Sequence, residues 1–396
     1  VPDLEEETEL RERARAFLAE HPPAQASRVD FLKARFDAGL GSVHYPVGHG
    51  GLGLPRGLQR VVQRELSAAG APDVDPRDNV IGLGMAAPTI IACASQEQQQ
   101  RWLRPLWTCE EVWCQLFSEP GAGSDLASLA TRAVRDGDDW VVTGQKVWTS
   151  LAHLAKWGLL LARTDPDAPK HAGLTYFAID MHDPGVEVRP LRQLTGEAEF
   201  NEVFITEVRV PDANRIGNVG DGWKVANATL MNERVAIGSS RAVPREEGVI
   251  GFAAAAWRQH PERRTPELHQ RLLALWARAE VARLAAERLR QQLAAGEPGP
   301  EGSAAKLTYA HLNQDISGWE IEFAGAEALR YDDWSMRRPA GSDYARGPGF
   351  RYLRSKGNSI EGGTSEILRN IIAERVLGLP AEPRADKHVA WKDLPR

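Results

Sequence analysis

The chain is short of cysteine, of long apolar runs and of positive charge, and each shortage excludes a class of function. Three cysteines in 396 residues, Cys93, Cys109 and Cys114, are too few for a disulfide framework and lack the paired spacing of a structural zinc site. A reducing, cytoplasmic setting without a metal centre is therefore expected. The longest apolar stretches, such as Trp157–Ala162, fall far below the ~20 residues of a membrane-spanning helix. Lys and Arg number 48 against 54 Asp and Glu, a net charge of −6, so neither nucleic acid nor an anionic membrane is an expected partner. The opening Val1–Glu7 is acidic and has no apolar core, which speaks against a secretory leader, and the missing initiator Met suggests trimming. Gly51-Leu52-Gly53 and Gly82-Leu83-Gly84 lack the third glycine and the preceding strand of a dinucleotide-binding turn. Both read as loops, and no P-loop lysine motif occurs.

What is present points to two or three domains with a large core: 42% of residues are apolar and 26% charged,. Leu4, Leu10, Ala14, Phe17 and Leu18 are spaced for a helix that His21-Pro22-Pro23 stops. Further helical patterns cover about 31–40, 57–69, 80–94 and 96–107, and no strand pattern precedes about residue 112. The texture then turns to β. Thr131–Arg135, an Asp136-Gly137-Asp138-Asp139 turn and Trp140–Thr143 read as a hairpin. Short β-rich runs follow at Gly158–Ala162, Leu174–Ile179, Val186–Leu191 and Glu202–Val210, a spacing that suits an antiparallel sandwich or barrel. From Gly222 the pattern is helical again. Leu272, Leu275, Trp276, Ala279, Ala282, Ala286, Leu289 and Leu293 mark one long amphipathic helix. Helices at about 303–328 and 367–377 follow, the last closed by Gly378 and Pro380. The expected fold is α+β, with an all-α N-terminal domain (1–111), an antiparallel β middle domain (112–212) and an all-α C-terminal helical bundle (213–396).

Three segments carry chemistry. In Cys114–Asp125, small residues ending in Ser124 let backbone N–H groups and a hydroxyl approach an anion closely. The segment lies where helical texture gives way to β texture, a place for a site between domains. Gly144-Gln145-Lys146-Val147-Trp148-Thr149-Ser150 is a strand end with an aromatic and two hydroxyls, and Trp148 suits a ring contact as well as it suits core packing. Ser359-Ile360-Glu361-Gly362-Gly363-Thr364-Ser365-Glu366 is a double-glycine turn that opens a helix. It reads either as a plain helix start, with Ser365 capping, or as free N–H groups aimed at a ligand oxygen.

Together these segments resemble the acyl-CoA dehydrogenase family over about residues 5–380. Phe117–Asp125 is close to that family's flavin motif and Ile360–Gly378 to its C-terminal motif, with Arg189-Pro190-Leu191, Phe200–Phe204 and Asn232-Glu233-Arg234 between them in the family's order. The resemblance implies an FAD enzyme that oxidises the α–β bond of an acyl-CoA thioester to a trans-2-enoyl-CoA, with hydride transfer to flavin N5. It implies that Gln115, Phe117 and Ser118 line the flavin, and that Gly123 and Ser124 meet the pyrophosphate end or the CoA. Trp148, Thr149 and Ser150 would contact the isoalloxazine from the other side, and Thr364 and Glu366 would hold the dinucleotide. Gly325 matches a position that receives cofactor from a neighbouring subunit, although its surroundings depart from the usual Gln-x-x-Gly-Gly. An electron-transfer flavoprotein, a homo-oligomer (dimer or tetramer) and a role in β-oxidation and lipid metabolism are further implications.

Removing an α-proton requires a carboxylate beside the substrate. Many family members carry a Glu directly before the Gly-Thr of the last turn, where this chain has Gly362; Glu361 lies one residue upstream and is expected to point elsewhere. A subset, including long-chain and isovaleryl enzymes, supplies the Glu from a helix of the C-terminal domain just before an Arg, which here is Glu233-Arg234. On a helix, Glu233 would share a face with Leu230, Ala236 and Ile237, surroundings that raise a carboxylate's pKa and suit a base. Glu233 is the expected base, Arg234 orders it or the pocket wall, and the Gly362 turn holds the thioester carbonyl. The side chain missing at Gly362 leaves room for a branched, long or ring-bearing acyl group. The first domain reads His44-Tyr45-Pro46-Val47-Gly48-His49-Gly50-Gly51 in place of the family's Trp-Pro-x-x-Tyr-Gly-Gly, and surface or packing roles are expected for both histidines. Two other readings stay open: a flavin oxidase or monooxygenase on the same fold, and a non-catalytic subunit of a mixed assembly.

Overall fold

The computed structural model describes residues 4–75, 77–238, 244–295, 300–331, 334–339, 346–383 and 386–395; the side chains of 233–238 and 293–295 lie outside that description. Five α-helices open the chain: α1 (Leu4–Glu20), α2 (Arg28–Asp37), α3 (Gln59–Ala68), α4 (Ala87–Cys93) and α5 (Gln96–Trp107). In α1 the buried residues Leu10, Ala14 and Phe17 recur at helical spacing, while Glu5, Glu6 and Glu7 lie in the first turn, where carboxylates favour the helix dipole,. Leu10 and Phe17 join Phe31, Leu40, Leu58 and Val62 in one core. A capping box starts α5: the Ser95 side chain accepts from Gln98 N, and the Gln98 side chain accepts from Ser95 N,.

Eight strands follow: β1 (Trp113–Leu116), β2 (Arg132–Asp136), β3 (Asp139–Ser150), β4 (Trp157–Arg163), β5 (Leu174–Asp180), β6 (Val186–Leu191), β7 (Phe200–Pro211) and β8 (Arg215–Ile216). They form one sheet in the order β6-β7-β3-β2-β4-β5-β8, with β1 pairing β4 off that path. The β2–β3, β4–β5 and β5–β8 pairs are antiparallel, whereas β1 runs parallel to β4. Every residue of β4 is buried, so its near-continuous apolar run is that of a central strand and not of an alternating one. Each fully buried leucine there contributes roughly 1.5–3 kcal/mol.

Among the described residues six further α-helices follow: α6 (Gly222–Gly238), α7 (Val249–Gln259), α8 (Pro266–Ala295), α9 (Gly302–Ala324), α10 (Pro348–Ser355) and α11 (Ser365–Ile371). Leu272, Leu275 and Ala279 of α8 pack with Ile316, Trp319 and Phe323 of α9 and with Ile250 and Ala253 of α7. The helical, β and helical order is the one expected. By internal packing the chain divides into two units, one of Val1–Arg189, Asn201–Thr229 and Asp386–Arg396, the other of Pro190–Phe200 and Leu230–Ala385.

Two local features differ from the sequence expectation. Gly82-Leu83-Gly84 is not a loop but part of a π-helical turn, Gly82–Ala86. The cause is Asn79, whose amide lies 2.3 Å from where a Cβ on Gly82 would stand and whose Oδ1 accepts from Gly82 N at 3.2 Å. The fully buried Asn79 also bonds Leu106 O, Glu111 O and Trp113 N, and so ties the helices to the start of β1. At the last helix the cap is Thr364 and not Ser365: the Thr364 side chain accepts from Ile367 N at 3.2 Å.

Candidate active site

The first unit carries a wall built on β1, the loop after it and the end of β3. Gln115 is paired opposite Leu159 and half-buried, between the buried Cys114 and Leu116. Phe117 is buried edge-on to Tyr176, with ring centroids 5.8 Å apart. The loop then closes on itself, Glu119 and Ala122 exchanging both backbone hydrogen bonds at 3.0 Å.

Lys146 fixes this loop to the sheet. Its side chain is fully buried, and Nζ donates to Phe117 O at 3.0 Å, Leu161 O at 2.9 Å and Glu119 Oε1 at 2.9 Å, which uses all three ammonium donors,. The Glu119 carboxylate accepts in addition from the backbone N–H groups of Ala130 and Thr131. Burial pushes Glu119 up, but the charge of Lys146 and these hydrogen bonds outweigh it and hold the carboxyl below its ordinary value,. Val147 N donates to Ser118 O at 2.9 Å, so the Phe117–Glu119 stretch lies against the end of β3.

That strand end has an unusual backbone. Trp148 and Leu151 have φ of 61° and 60°, a left-handed conformation that costs a bulky L-residue energy and clusters at functional sites. The inversion breaks the strand's alternation. Trp140, Val142 and Lys146 face inward, yet Trp148, next in phase, is 56% exposed, while Thr149 is 1% exposed. Thr149 O accepts from Asn201 Nδ2 at 3.0 Å, but its buried Oγ1 has no hydrogen-bond partner among the described residues. Ser150 is half-buried; Gly123 and Ser124 are exposed. A Cβ added at Gly121 or Gly123 would meet nothing within 4 Å. A largely exposed aromatic, a buried hydroxyl without a partner among the described residues and accessible loop backbone fit a flavin dinucleotide, an aromatic ring system that carries phosphates.

The second unit carries the double-glycine turn. Gly362 and Gly363 have φ of 62° and 93°, which only glycine adopts freely,. Buried Lys306 donates from Nζ to Gly363 O at 2.7 Å. Thr364 spends its hydroxyl on the cap, Ser365 is buried with an Oγ that finds no partner among the described residues, and Glu366 is exposed beside Arg369. Gly325 ends α9 with φ of 61°. Beyond it lies a cavity of about 520 Å³ whose lining includes Phe323, Ala328, Tyr331, Arg346, Phe350 and Arg351. The Glu361 carboxylate accepts three hydrogen bonds from two side chains: Arg354 donates to both oxygens at 3.1 and 2.9 Å, and Asn358 Nδ2 donates to Oε1 at 2.6 Å. The same guanidinium pairs Glu199 at 3.1 Å. A carboxylate so engaged has little free lone-pair capacity for a substrate proton. Glu233 and Arg234 lie on α6, and their side chains are outside the described residues.

Sequence reasoning missed Lys146, because a lysine in a strand normally reads as solvated. Its phase with Trp140 and Val142 was the available signal.

Models of the acyl-CoA dehydrogenase N-terminal, middle and C-terminal domains match residues 4–110, 114–208 and 220–377. The acyl-CoA dehydrogenase IpdE1 of Mycobacterium tuberculosis is 38% identical over 354 residues, covering 88% of this chain and 86% of that protein. The acyl-CoA dehydrogenase FadE34 of the same organism is 41% identical over 383 residues, 96% of this chain. The chain spans about half the length of FadE34, 50%. A solved structure described as the Tcur3481-Tcur3483 steroid ACAD superposes with a TM-score of 0.71 at 26% identity, covering 96% of this chain and 99% of that one. The chain belongs to the acyl-CoA dehydrogenase family, a family of generally FAD-dependent oxidoreductases that act on CH–CH bonds. Among the described residues no helix is long and apolar enough to cross a membrane.

Proposed function

We propose that this protein is an FAD-dependent acyl-CoA dehydrogenase that converts an acyl-CoA thioester to its trans-2-enoyl-CoA, with Glu233 as the α-proton base. The observation that carries the reading is the β3 end, where Trp148 is largely exposed in a left-handed conformation and the buried hydroxyl of the next residue, Thr149, has no hydrogen-bond partner among the described residues. Gln115, Phe117, Ser118, Trp148, Thr149 and Ser150 hold the ring system, Gly123 and Ser124 the phosphate-bearing end, and Gly325, Thr364 and Glu366 the remainder of the dinucleotide. Bound FAD supplies a two-electron acceptor for the β-hydride.

This chain's own residues do the rest. The Gly362 turn offers backbone N–H groups that stabilise the charge developing on the thioester oxygen. Glu233 takes the α-proton, and Arg234 orders the base. The engagement of Glu361 by Arg354 and Asn358 supports assigning the base to α6 and not to the turn.

The absent side chain at Gly362 and the similarity to a protein described as a steroid ACAD support a bulky, ring-bearing acyl group as substrate. Electrons pass on to an electron-transfer flavoprotein, and the working form is an oligomer. The paired name of that similar structure favours, as a second reading, an assembly of two different chains. Incubating the purified protein with an artificial electron acceptor and a panel of acyl-CoAs tests the function: 2-enoyl-CoA is expected from ring-bearing substrates. Turnover of short straight chains alone would overturn the substrate class, and the absence of enoyl product from every substrate would overturn the activity. Fast reoxidation of the reduced protein by air would assign it as an oxidase.

A further inference from the structure

The segment Asp386–Pro395 lies beyond the residues matched by the family's C-terminal model, which end at 377. It belongs to the first unit, where it meets the end of the loop that follows β1 and the β4–β5 connection. Trp391 N donates to Ala168 O at 3.0 Å, Lys392 N to Pro166 O at 3.1 Å, and Ala390 forms a bridge with Pro169. The Trp391 indole donates to Ser128 O at 3.2 Å and lies over the Arg163 guanidinium at 4.4 Å. Asp386 pairs with Lys170 at 2.6 Å.

The two cations that meet this segment also hold the 121–128 loop. Lys170 Nζ binds both oxygens of Asp125, at 3.0 and 2.9 Å, while its side chain is only 12% exposed. Arg163 donates from Nη2 to Ala127 O at 2.6 Å, from Nε to Leu129 O at 3.2 Å and from Nη1 to Lys170 O at 3.1 Å. One lysine thus bridges a loop carboxylate and a carboxylate of the C-terminal segment. One arginine is sandwiched between three backbone carbonyls and a tryptophan.

We propose that Asp386–Pro395 is a strap that sets the conformation of the Gly121–Ser128 loop through Lys170 and Arg163, and so tunes its affinity for a diphosphate ester. Lys170, Arg163 and Trp391 are positioning residues that act through Gly123 and Ser124. The inference rests on the reading above that this loop meets the phosphate-bearing end of a nucleotide ligand. Two ligands carry that chemistry, FAD and the CoA moiety of the substrate.

The variants Trp391→Ala, Lys170→Met and the conservative Lys170→Arg separate the alternatives. Hydrogen exchange at residues 121–131, followed by mass spectrometry, reads the strap whatever the ligand. Exchange is expected to speed up about tenfold in Trp391→Ala and Lys170→Met, which remove the cation–π contact and the charge-assisted pairs to Asp125 and Asp386 respectively,, and to return toward wild type in Lys170→Arg. FAD affinity weakened by a similar factor identifies the cofactor as the diphosphate source. A raised KM for acyl-CoA at saturating FAD, with kcat unchanged, identifies the substrate. Unchanged exchange in both variants overturns the strap. Faster exchange with unaltered FAD affinity and KM overturns its role in binding. A wild-type protein that binds neither ligand overturns the functional reading and the tuning role with it, while the exchange data still decide whether the strap orders the loop.

Discussion

Replacing Lys146 by Met tests how the proposed flavin-binding wall is built. The substitution keeps the volume and removes the charge. It leaves Phe117 O and Leu161 O without their donor and Glu119, whose side chain is 9% exposed, without its counter-ion. Removing one partner of a buried pair costs about 3–5 kcal/mol. Two carbonyls in a buried setting keep the loss toward the upper end of that range. Neutralising both partners, Lys146→Met with Glu119→Gln, restores part of the loss, because an unpaired buried charge no longer remains. Urea denaturation gives the stability change, and flavin fluorescence on dilution gives FAD retention. Both should suffer in Lys146→Met, because the contacts that are lost anchor Phe117 and the chain before Ser118. The pH dependence has a definite sign. The carboxyl of Glu119 is depressed in the folded state, so its contribution is complete above the ordinary value of 4.5 and is lost as pH falls below it,. In Lys146→Met the burial of Glu119 is no longer outweighed by the lysine charge, so this loss on acidification should shrink or reverse,. A variant within about 1 kcal/mol of wild type that retains its flavin would refute the anchoring argument.

Trp148→Gly removes a left-handed tryptophan whose side chain is mostly exposed, so stability should hold or rise by about 1 kcal/mol while FAD affinity falls; a loss of stability with FAD affinity intact would contradict the assignment. Glu361→Gln breaks the grip of Arg354 and should cost about 1–3 kcal/mol without abolishing turnover, as denaturation and steady-state assays would show. His44 is depressed to about 4 from 6.5 by burial and, second, by the neighbouring Arg56. The unfolded chain therefore takes up its proton first, and stability falls as pH drops from about 6.5 to about 4, by up to roughly 3 kcal/mol,. Urea melts at the two ends of that window should show His44→Gln flattening the slope.

The order of helical, β and helical segments was legible because α1 and α8 repeat apolar residues at helical spacing and because the β2–β3 hairpin carries a turn with Gly137 at φ 63°. Three features were not. β1 is four residues long with three of them buried, so it shows no alternation that separates it from a loop. α10 is eight residues and begins Pro348-Gly349, which reads as a breaker before the helical pattern can register,. The inverted phase at Trp148 depends on a backbone angle that no period-2 reading anticipates,. Within the candidate site, the glycines of the last turn and the loop after β1 were visible as motifs. The two buried lysines that pin them, Lys146 and Lys306, were not, because their partners, backbone carbonyls and, for Lys146, the Glu119 carboxylate, are brought close only by the fold. Resemblance supplied Glu233 and, by register, the reason to look away from Glu361; geometry added the contacts of Arg354 and Asn358 that engage the Glu361 carboxylate.

Anaerobic titration of the purified flavoprotein with a ring-bearing acyl-CoA, in wild type and in Glu233→Gln, is the most direct test of that assignment. Substrate is expected to bleach the visible absorbance of the wild-type flavin, whereas Glu233→Gln stays yellow while still binding FAD. Full bleaching of Glu233→Gln would contradict it.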